Sequence, residues 1–455
     1  MKDERFRFRD REELERKIAE LHLDLPLADD ISILFSPRHI AGKTLPNRFA
    51  VHPLEGADAE PSGGPSDLSF RRYRRFALSG SGLIWFEATA VTPEGRSNPR
   101  QLLIAEKSKG GFKRLVEETR QAARQKFGPD HTLLLVLQLT HSGRFSKPEG
   151  RPQPVIAQHN PILDGKMGLP PDYPVITDKE LDTLGEIFVS AAELAREAGF
   201  DGVDVKACHG YLVSELLSCF TRRKSKYGGP FENRIRFLTE TSKRIKDEVK
   251  GIFITSRLNI FDAIPYPYGF GVDQEDARKE DLSEPEKLVE KLVQIGFPLL
   301  NISCGIPKHK PHYGRPYDVP LLGMAPPEEH PLVGVSRLLR LTGELQKSFP
   351  ALPIVGPGYS WLRHFFPNVA AAMVQTGKAA IIGLGRGALA YPEWLDDLAE
   401  NGVLNPQKVC TTCSQCSQLL RDGGRVGCPV RDAEIYAAEY RRVRNIILNR
   451  DKKVD

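Results

Sequence analysis

Along the middle of the chain, short and nearly continuous apolar runs alternate with stretches in which apolar positions return every three or four residues. Eight runs fit this description: RFAVHPL from Arg48, GLIWFEAT from Gly82, TLLLVLQL from Thr132, GVDVKAC from Gly202, IFITSRL from Ile252, PLLNISC from Pro298, PIVG from Pro353 and AIIGLG from Ala380. Rich in β-branched residues and without polar alternation, they read as strands of a parallel sheet buried on both faces. The segments between them are amphipathic. The clearest, Asp178 to Ala198, opens with Thr177 and Glu180 as a capping box, carries Leu181, Leu184, Phe188, Ala191 and Ala195 as an apolar stripe, and stops at Gly199. Sequential strands joined by helices run parallel with right-handed crossovers, and eight such units predict an α/β fold of the (β/α)8 TIM-barrel type.

A plain barrel takes about 250 residues, so a 455-residue chain has room for additions. The pattern divides it into an N-terminal helical arm (1–34), the barrel (35–400) and a Cys-rich segment with a terminal helix (401–455). Three long loops follow strands: a Pro- and Gly-rich stretch at 141–176, expected to form a lid, and stretches at 260–282 and 305–330. The last of these carries Lys308, His309, Lys310, His312 and Arg315, either as solvated surface or as a contact for an anionic substrate or reduced nucleotide. The charged start lacks a signal-peptide core and no run reaches about 20 apolar residues, so a soluble, cytoplasmic protein without a membrane partner is expected. The formal net charge is only +5, and much of the excess lies between Arg441 and Lys453, which reads as a solvated helix and argues against a nucleic-acid partner. The terminal helix is expected from Asp432 to Asn449 and to pack back or support a homo-oligomer.

Reactive groups of such a barrel sit where its strands end. The fourth run ends in Lys206, His209 and Tyr211. The eighth ends in Gly383-Leu-Gly385-Arg386-Gly387-Ala388, which matches a dinucleotide fingerprint in form but lacks the second strand and acidic residue that fingerprint requires. The same glycines, with Gly356 and Gly358 after strand seven, better suit a phosphate site. That phosphate could belong to a sugar or to a flavin mononucleotide. Gln138 closes strand three and can pair with a pyrimidine-like edge, while Arg257 closes strand five and suits an anionic reduced ring.

The segment HGYLVSELLSCFTRRKSKYGGPFENRIRFLTE from His209 resembles the strand-four signature of the Old Yellow Enzyme family of FMN-dependent oxidoreductases. NRFAVHPLEG from Asn47, SGLIWFEATAVTPEGR from Ser81, Leu137-Gln138-Leu139 and GLGRGALAYPEW from Gly383 resemble that family in the same order, over about residues 35 to 400. The resemblance implies an enzyme in which Pro53, Leu54, Ala88, Gln138, Arg257, Gly358, Gly385 and Arg386 line FMN. NADH or NADPH would be the electron donor and a small electron-poor alkene the acceptor. It also implies that Lys206 and His209 occupy the positions that bind the substrate carbonyl, where the family has His followed by His or Asn, and that Tyr211 is the proton donor. Lys206 is a departure: an ammonium offers donors only and cannot copy a neutral imidazole. A Schiff-base aldolase built on Lys206 is the alternative from a different enzyme class.

Cys410, Cys413 and Cys416 lie three apart, and Cys428 follows after eleven residues. In a cytosolic chain this spacing points to a metal and suits a [4Fe–4S] cluster, with structural zinc or unligated thiols as the other readings. The segment resembles the one that follows the barrel in trimethylamine dehydrogenase and dienoyl-CoA reductase. That resemblance implies an electron-transfer protein as a partner, and an amine-oxidising flavoprotein as a second form of the same chemistry.

Overall fold

The computed structural model describes residues 5–451; the last positions of the basic tail, 452–455, lie outside the described residues. The eight runs form the eight strands of a barrel: β1 (Phe49–Val51), β2 (Leu83–Ala90), β3 (Leu134–Thr140), β4 (Gly202–Val205), β5, β6 (Leu300–Ser303), β7 (Ile354–Gly356) and β8 (Ile381–Leu384). Every pairing between neighbours is parallel, from β1 with β2 round to β8 with β1.

Strand β5 departs from the sequence expectation. The run IFITSRL is not one strand but two short ones, Phe253–Thr255 and Arg257–Asn259. The first pairs with β4 and the second with β6, so the break at Ser256 lies on the seam that closes the barrel. Ser256 serves both sides: its hydroxyl donates to the Val205 carbonyl at 2.7 Å, and its own carbonyl accepts from the Asn301 N–H at 3.0 Å. A closed barrel staggers its strands, so one strand that must match two neighbours of different register is where a break is expected.

Alternation along the strands sorts the core into two regions. Ala50, Leu83, Trp85, Leu134, Val136, Val355 and Ile381 pack together inside the barrel with Ile40 and Leu45, which come from an antiparallel hairpin of Arg38–Ile40 and Lys43–Leu45. Their neighbours Phe49, Val51, Ile84, Phe86, Leu135 and Leu137 face the surrounding helices. The hairpin thus plugs the floor, leaving the far end of the strands open for chemistry. Asp178–Glu197 has the expected cap: the Thr177 hydroxyl accepts from the Glu180 N–H at 3.2 Å, and the Glu180 carboxylate accepts from the Thr177 N–H at 2.7 Å. All five residues of its stripe are buried.

The C-terminal segment folds onto the barrel. Its last helix, Ala433–Asp451, buries Tyr436 and Val443. Arg71 of the helix Asp67–Ala77 holds Asp432 with both guanidinium nitrogens, at 2.7 and 2.8 Å. Next to it Arg72, almost fully buried, donates to Glu87 at 2.8 Å and pairs with Asp58. Glu87 is pushed up to about 7, by burial and against the pull of Arg72. Replacing Arg72 by Leu leaves two carboxylates buried without their cation. Chemical denaturation of Arg72→Leu should show a loss of about 3–5 kcal/mol, the usual consequence of removing one member of a buried ion pair.

Candidate active site

Strand β4 delivers its polar residues to the open end of the barrel through an unusual turn. Past the strand, the Lys206 N–H donates to the Leu139 carbonyl at 3.1 Å and the Ala207 N–H to the Arg257 carbonyl at 3.0 Å, so the ladder continues to both neighbours. His209 then adopts a left-handed backbone (φ 67°), as does Gly210 (φ 71°). A non-glycine residue rarely holds this conformation, and strain of this kind is kept where it aims a functional side chain. Here the imidazole Nε2 lies 3.0 Å from the Ser303 hydroxyl of β6. Burial, reinforced by Arg257 and Lys206, drives the His209 pKa well below its usual value, so the ring is neutral at physiological pH.

A cleft opens at this end. Pro53 and Leu54 after β1, His209 after β4, Arg257 in β5, Gly358 after β7, and Gly385 and Arg386 after β8 all line it. Seven of the sequence-derived site residues therefore share one cavity. Two glycines there are required by geometry: Gly358 sits at φ 109°, and a Cβ on Gly383 would lie 2.0 Å from the His52 Nε2. That imidazole nitrogen, the Arg257 Nε and one terminal nitrogen of Arg386 are buried without a hydrogen-bond partner. Arg315 joins Arg257 and Arg386 in the lining, and none of the three forms an ion pair among the described residues. Burial and the neighbouring Arg386 push Arg315 down to about 10. Three uncompensated guanidinium groups around one cleft call for an anionic ligand with several acceptors.

The remaining site residues stand apart from that lining. Gln138 is 2 % exposed and its amide nitrogen donates to Asp204 at 2.7 Å. Ala88 lies in a bulge of β2, where the register against β3 shifts between Phe86 and Thr89, and its carbonyl accepts from the Gln101 amide at 2.9 Å. Lys206 and Tyr211 are together: the ammonium sits 3.7 Å from the centroid of the phenol ring. Burial lowers the Lys206 pKa and raises that of Tyr211 well above its usual value. Glu55 acts on both and also lines the cleft, its carboxylate held by Ser97 and by Asn98 at 2.6 Å. Sequence reasoning missed Glu55, although it stands inside the quoted stretch NRFAVHPLEG; only folding brings it to Lys206. Cys208 is fully buried, with its thiol pushed up to about 11 by burial.

The cysteine segment reaches the same cleft. Cys416, Ser417, Leu420 and Val426 form part of its wall, and Arg315 donates to the Ser417 hydroxyl at 2.6 Å. Thr412 (φ 50°) and Ser414 (φ 59°) wind the loop tightly around Cys413. The Thr412 N–H donates to the Cys410 sulfur at 3.4 Å and the Arg431 N–H to the Cys428 sulfur at 3.3 Å. Cys410 lies close enough to Cys416 and Cys428, and Cys428 to Cys413 and Cys416, for each to act on the other electrostatically. Among the described residues, no group of three or more His, Cys, Asp or Glu is disposed to hold a single metal ion.

The model of the NADH:flavin oxidoreductase / NADH oxidase family matches residues 33–276, more than half of the chain. This protein belongs to that family. A curated NADH oxidase of Thermoanaerobacter brockii is 29% identical over 392 residues, 84% of this chain and 52% of its own. An NADPH dehydrogenase of Bacillus subtilis is 34% identical over 223 residues, 48% of this chain and 60% of its own. The family member described here thus spans about half to three fifths of these relatives' length. Among solved structures, 2-naphthoyl-CoA reductase with 2-naphthoyl-CoA superposes with a TM-score of 0.69 at 21% identity, covering 88% of this chain and 57% of the other. This likeness supports the barrel fold. No helix among the described residues is long and apolar enough to cross a membrane.

At the start of the 141–176 loop, His141 is 4 % exposed, and its Nδ1 accepts from the Gly143 N–H at 3.1 Å. Burial pushes its pKa down to about 4. A depressed histidine favours folding in its neutral form, so its contribution is complete above the unfolded value of about 6.5 and is lost as the pH falls toward 4. Urea unfolding between pH 7 and pH 4 should lose about 3 kcal/mol through this residue, and His141→Asn should show a correspondingly flatter profile.

Proposed function

We propose that this protein is an FMN-dependent oxidoreductase that draws hydride from NADH or NADPH and reduces a small, electron-poor alkene conjugated to a carbonyl. The observation that carries this reading is the cleft itself, whose three unpaired arginines and two close-packed glycines answer the phosphate and ring of a flavin mononucleotide in a chain of a flavin-dependent family. Pro53, Leu54, Arg257, Gly358, Gly385 and Arg386 would hold the cofactor, together with Ala88 and Gln138. Gln138, its amide nitrogen committed to Asp204, would meet the cofactor as an acceptor. When bound, FMN supplies the two-electron hydride chemistry that side chains cannot.

The chain's own residues bind and polarise the acceptor. His209 is neutral and Lys206 supplies ammonium donors, so together they stabilise charge that develops on the activating oxygen. Tyr211 keeps its proton at neutral pH, because burial raises its pKa, and gives it to the carbon beside that oxygen. Anaerobic titration of FMN-loaded protein should bleach the flavin with NADH or NADPH; no bleaching by either would end this reading. Tyr211→Phe should leave that bleaching intact and slow alkene turnover by about 10²- to 10⁴-fold. Bleaching by an amine, with none by NAD(P)H, would favour the amine-oxidising form.

We also propose that Cys410, Cys413, Cys416 and Cys428 hold a [4Fe–4S] cluster that exchanges electrons with FMN, and with an electron-transfer protein. The four lie close enough to act on one another electrostatically, and two accept backbone N–H bonds, as sulfurs bound to iron do. Anaerobically purified protein should contain iron and acid-labile sulfide in equal amounts, and Cys413→Ser should lose both; zinc in their place would overturn the assignment.

A further inference from the structure

Tyr211 is 9 % exposed, and Phe145, Leu163, Ile264 and Ile306 pack with it in a small apolar cluster separate from the main core. A phenol that gives up its proton in every turnover needs another, and these apolar neighbours keep bulk water from its ring. The replacement has to come along polar groups. Two hydroxyls stand beside that of Tyr211 and act on it, those of Ser97 and Ser142. Ser142 is fully buried and its oxygen has no partner within hydrogen-bond distance, so it leads no further. Ser97 leads to the cleft: its hydroxyl donates to the carboxylate of Glu55, which stands in the cleft wall.

The loop after β2 holds this link in place. The Asn98 amide donates to Glu55 at 2.6 Å and to the Ser97 oxygen at 3.0 Å. The Ser97 N–H donates to the Gln101 side chain at 2.6 Å, and Gln101 is itself fully buried and tied to the Ala88 carbonyl. Lys206 and Lys308 act on Glu55 electrostatically, and Glu87 opposes them. Burial outweighs the two lysines and raises the Glu55 pKa, which brings its protonated form closer to neutral pH. A serine hydroxyl between two such groups can accept from one and donate to the other, because its hydrogen rotates to suit.

We infer that Glu55, acting through the Ser97 hydroxyl, returns a proton to Tyr211 after each reduction of the acceptor. This role deepens the proposed function and rests on Tyr211 being the proton donor there. As the Tyr211 O–H bond breaks, a C–H bond forms on the acceptor and a phenolate is left. The phenolate takes the Ser97 proton, Ser97 takes the proton of the Glu55 carboxyl, and the carboxylate takes one from water in the cleft. One proton enters from solvent for each hydride delivered, and no electron moves along the path. Glu55 is thus a positioning residue, which acts on Tyr211 and not on the acceptor.

Stopped-flow mixing of dithionite-reduced, FMN-loaded protein with 2-cyclohexenone, set beside steady-state turnover of the same alkene with NADH or NADPH, tests the inference. In Glu55→Gln the first reoxidation of the flavin uses the proton that Tyr211 already holds. It should keep the wild-type rate to within about twofold, whereas steady-state turnover should fall about tenfold or more. Ser97→Ala should reproduce that split, and Glu55→Asp, which keeps a carboxyl, should recover part of the lost turnover. An unchanged flavin spectrum reports that each variant is folded. A structural defect would slow both phases alike; that outcome, or wild-type turnover in either Glu55→Gln or Ser97→Ala, overturns the inference. Failure of the underlying reading has a different signature, in which the alkene does not reoxidise the wild-type flavin or Tyr211→Phe matches the wild type, and it removes both proposals.

Discussion

One buried carboxylate organises the reactive end of the barrel. Asp204 of β4 accepts from the Trp85 indole of β2 at 2.8 Å, the Gln138 amide of β3 at 2.7 Å and the Arg257 backbone N–H of β5 at 2.8 Å. Four strands are thereby tied at one layer inside the barrel, and Lys206 and His209 leave β4 from a fixed height. Three donors do not fully offset the cost of burial, which still dominates and raises Asp204 to about 6. The molecule tolerates this because the donors would themselves be orphaned without it, and a buried unsatisfied donor costs about 1–3 kcal/mol.

The electrostatics divide the buried arginines into two kinds. Arg72 and Arg144 each sit among carboxylates that match them, and their pKa values are raised. Arg257 and Arg315 have no such partners, and burial lowers both. The first kind holds structure together. The second is costly unless something outside the chain completes it, because an uncompensated buried charge is among the most destabilising features a fold can carry. Charge balance, more than shape, thus separates residues that keep the fold from residues that wait for a ligand.

Much of this was legible in the sequence, and for identifiable reasons. Apolar runs and caps are local, so all eight strands and the Thr177–Glu180 capping box could be read directly. The break in β5 could not, because it follows from closing the barrel, which is a property of the whole ring. Among the site residues, those on strand ends with chemical character of their own (His209, Arg257, Arg386) were found by position, and the structure sets them on one cleft. Glu55 was invisible for the opposite reason. An acidic residue after a strand is unremarkable until the fold sets it against Lys206, 151 positions later in the chain. Contacts of that span leave no local pattern to read.

The same reasoning changes the standing of the C-terminal segment. Read along the chain, it follows the eighth strand and looks like an appendage. In the fold, Val426 donates its N–H to the Gly56 carbonyl at 2.7 Å, two residues from Leu54, and Asp318 donates to the Thr412 carbonyl at 3.2 Å. Arg71 grips Asp432, and Cys416 and Ser417 stand in the cleft wall beside Arg315 and Arg386. Removing this segment would open the cleft to water and weaken the fields that its arginines exert, since charges interact far more strongly where solvent is excluded. The segment therefore belongs to the site as a wall, whatever its thiols carry. A redox group held in that wall would adjoin the cleft itself, with no intervening domain to cross.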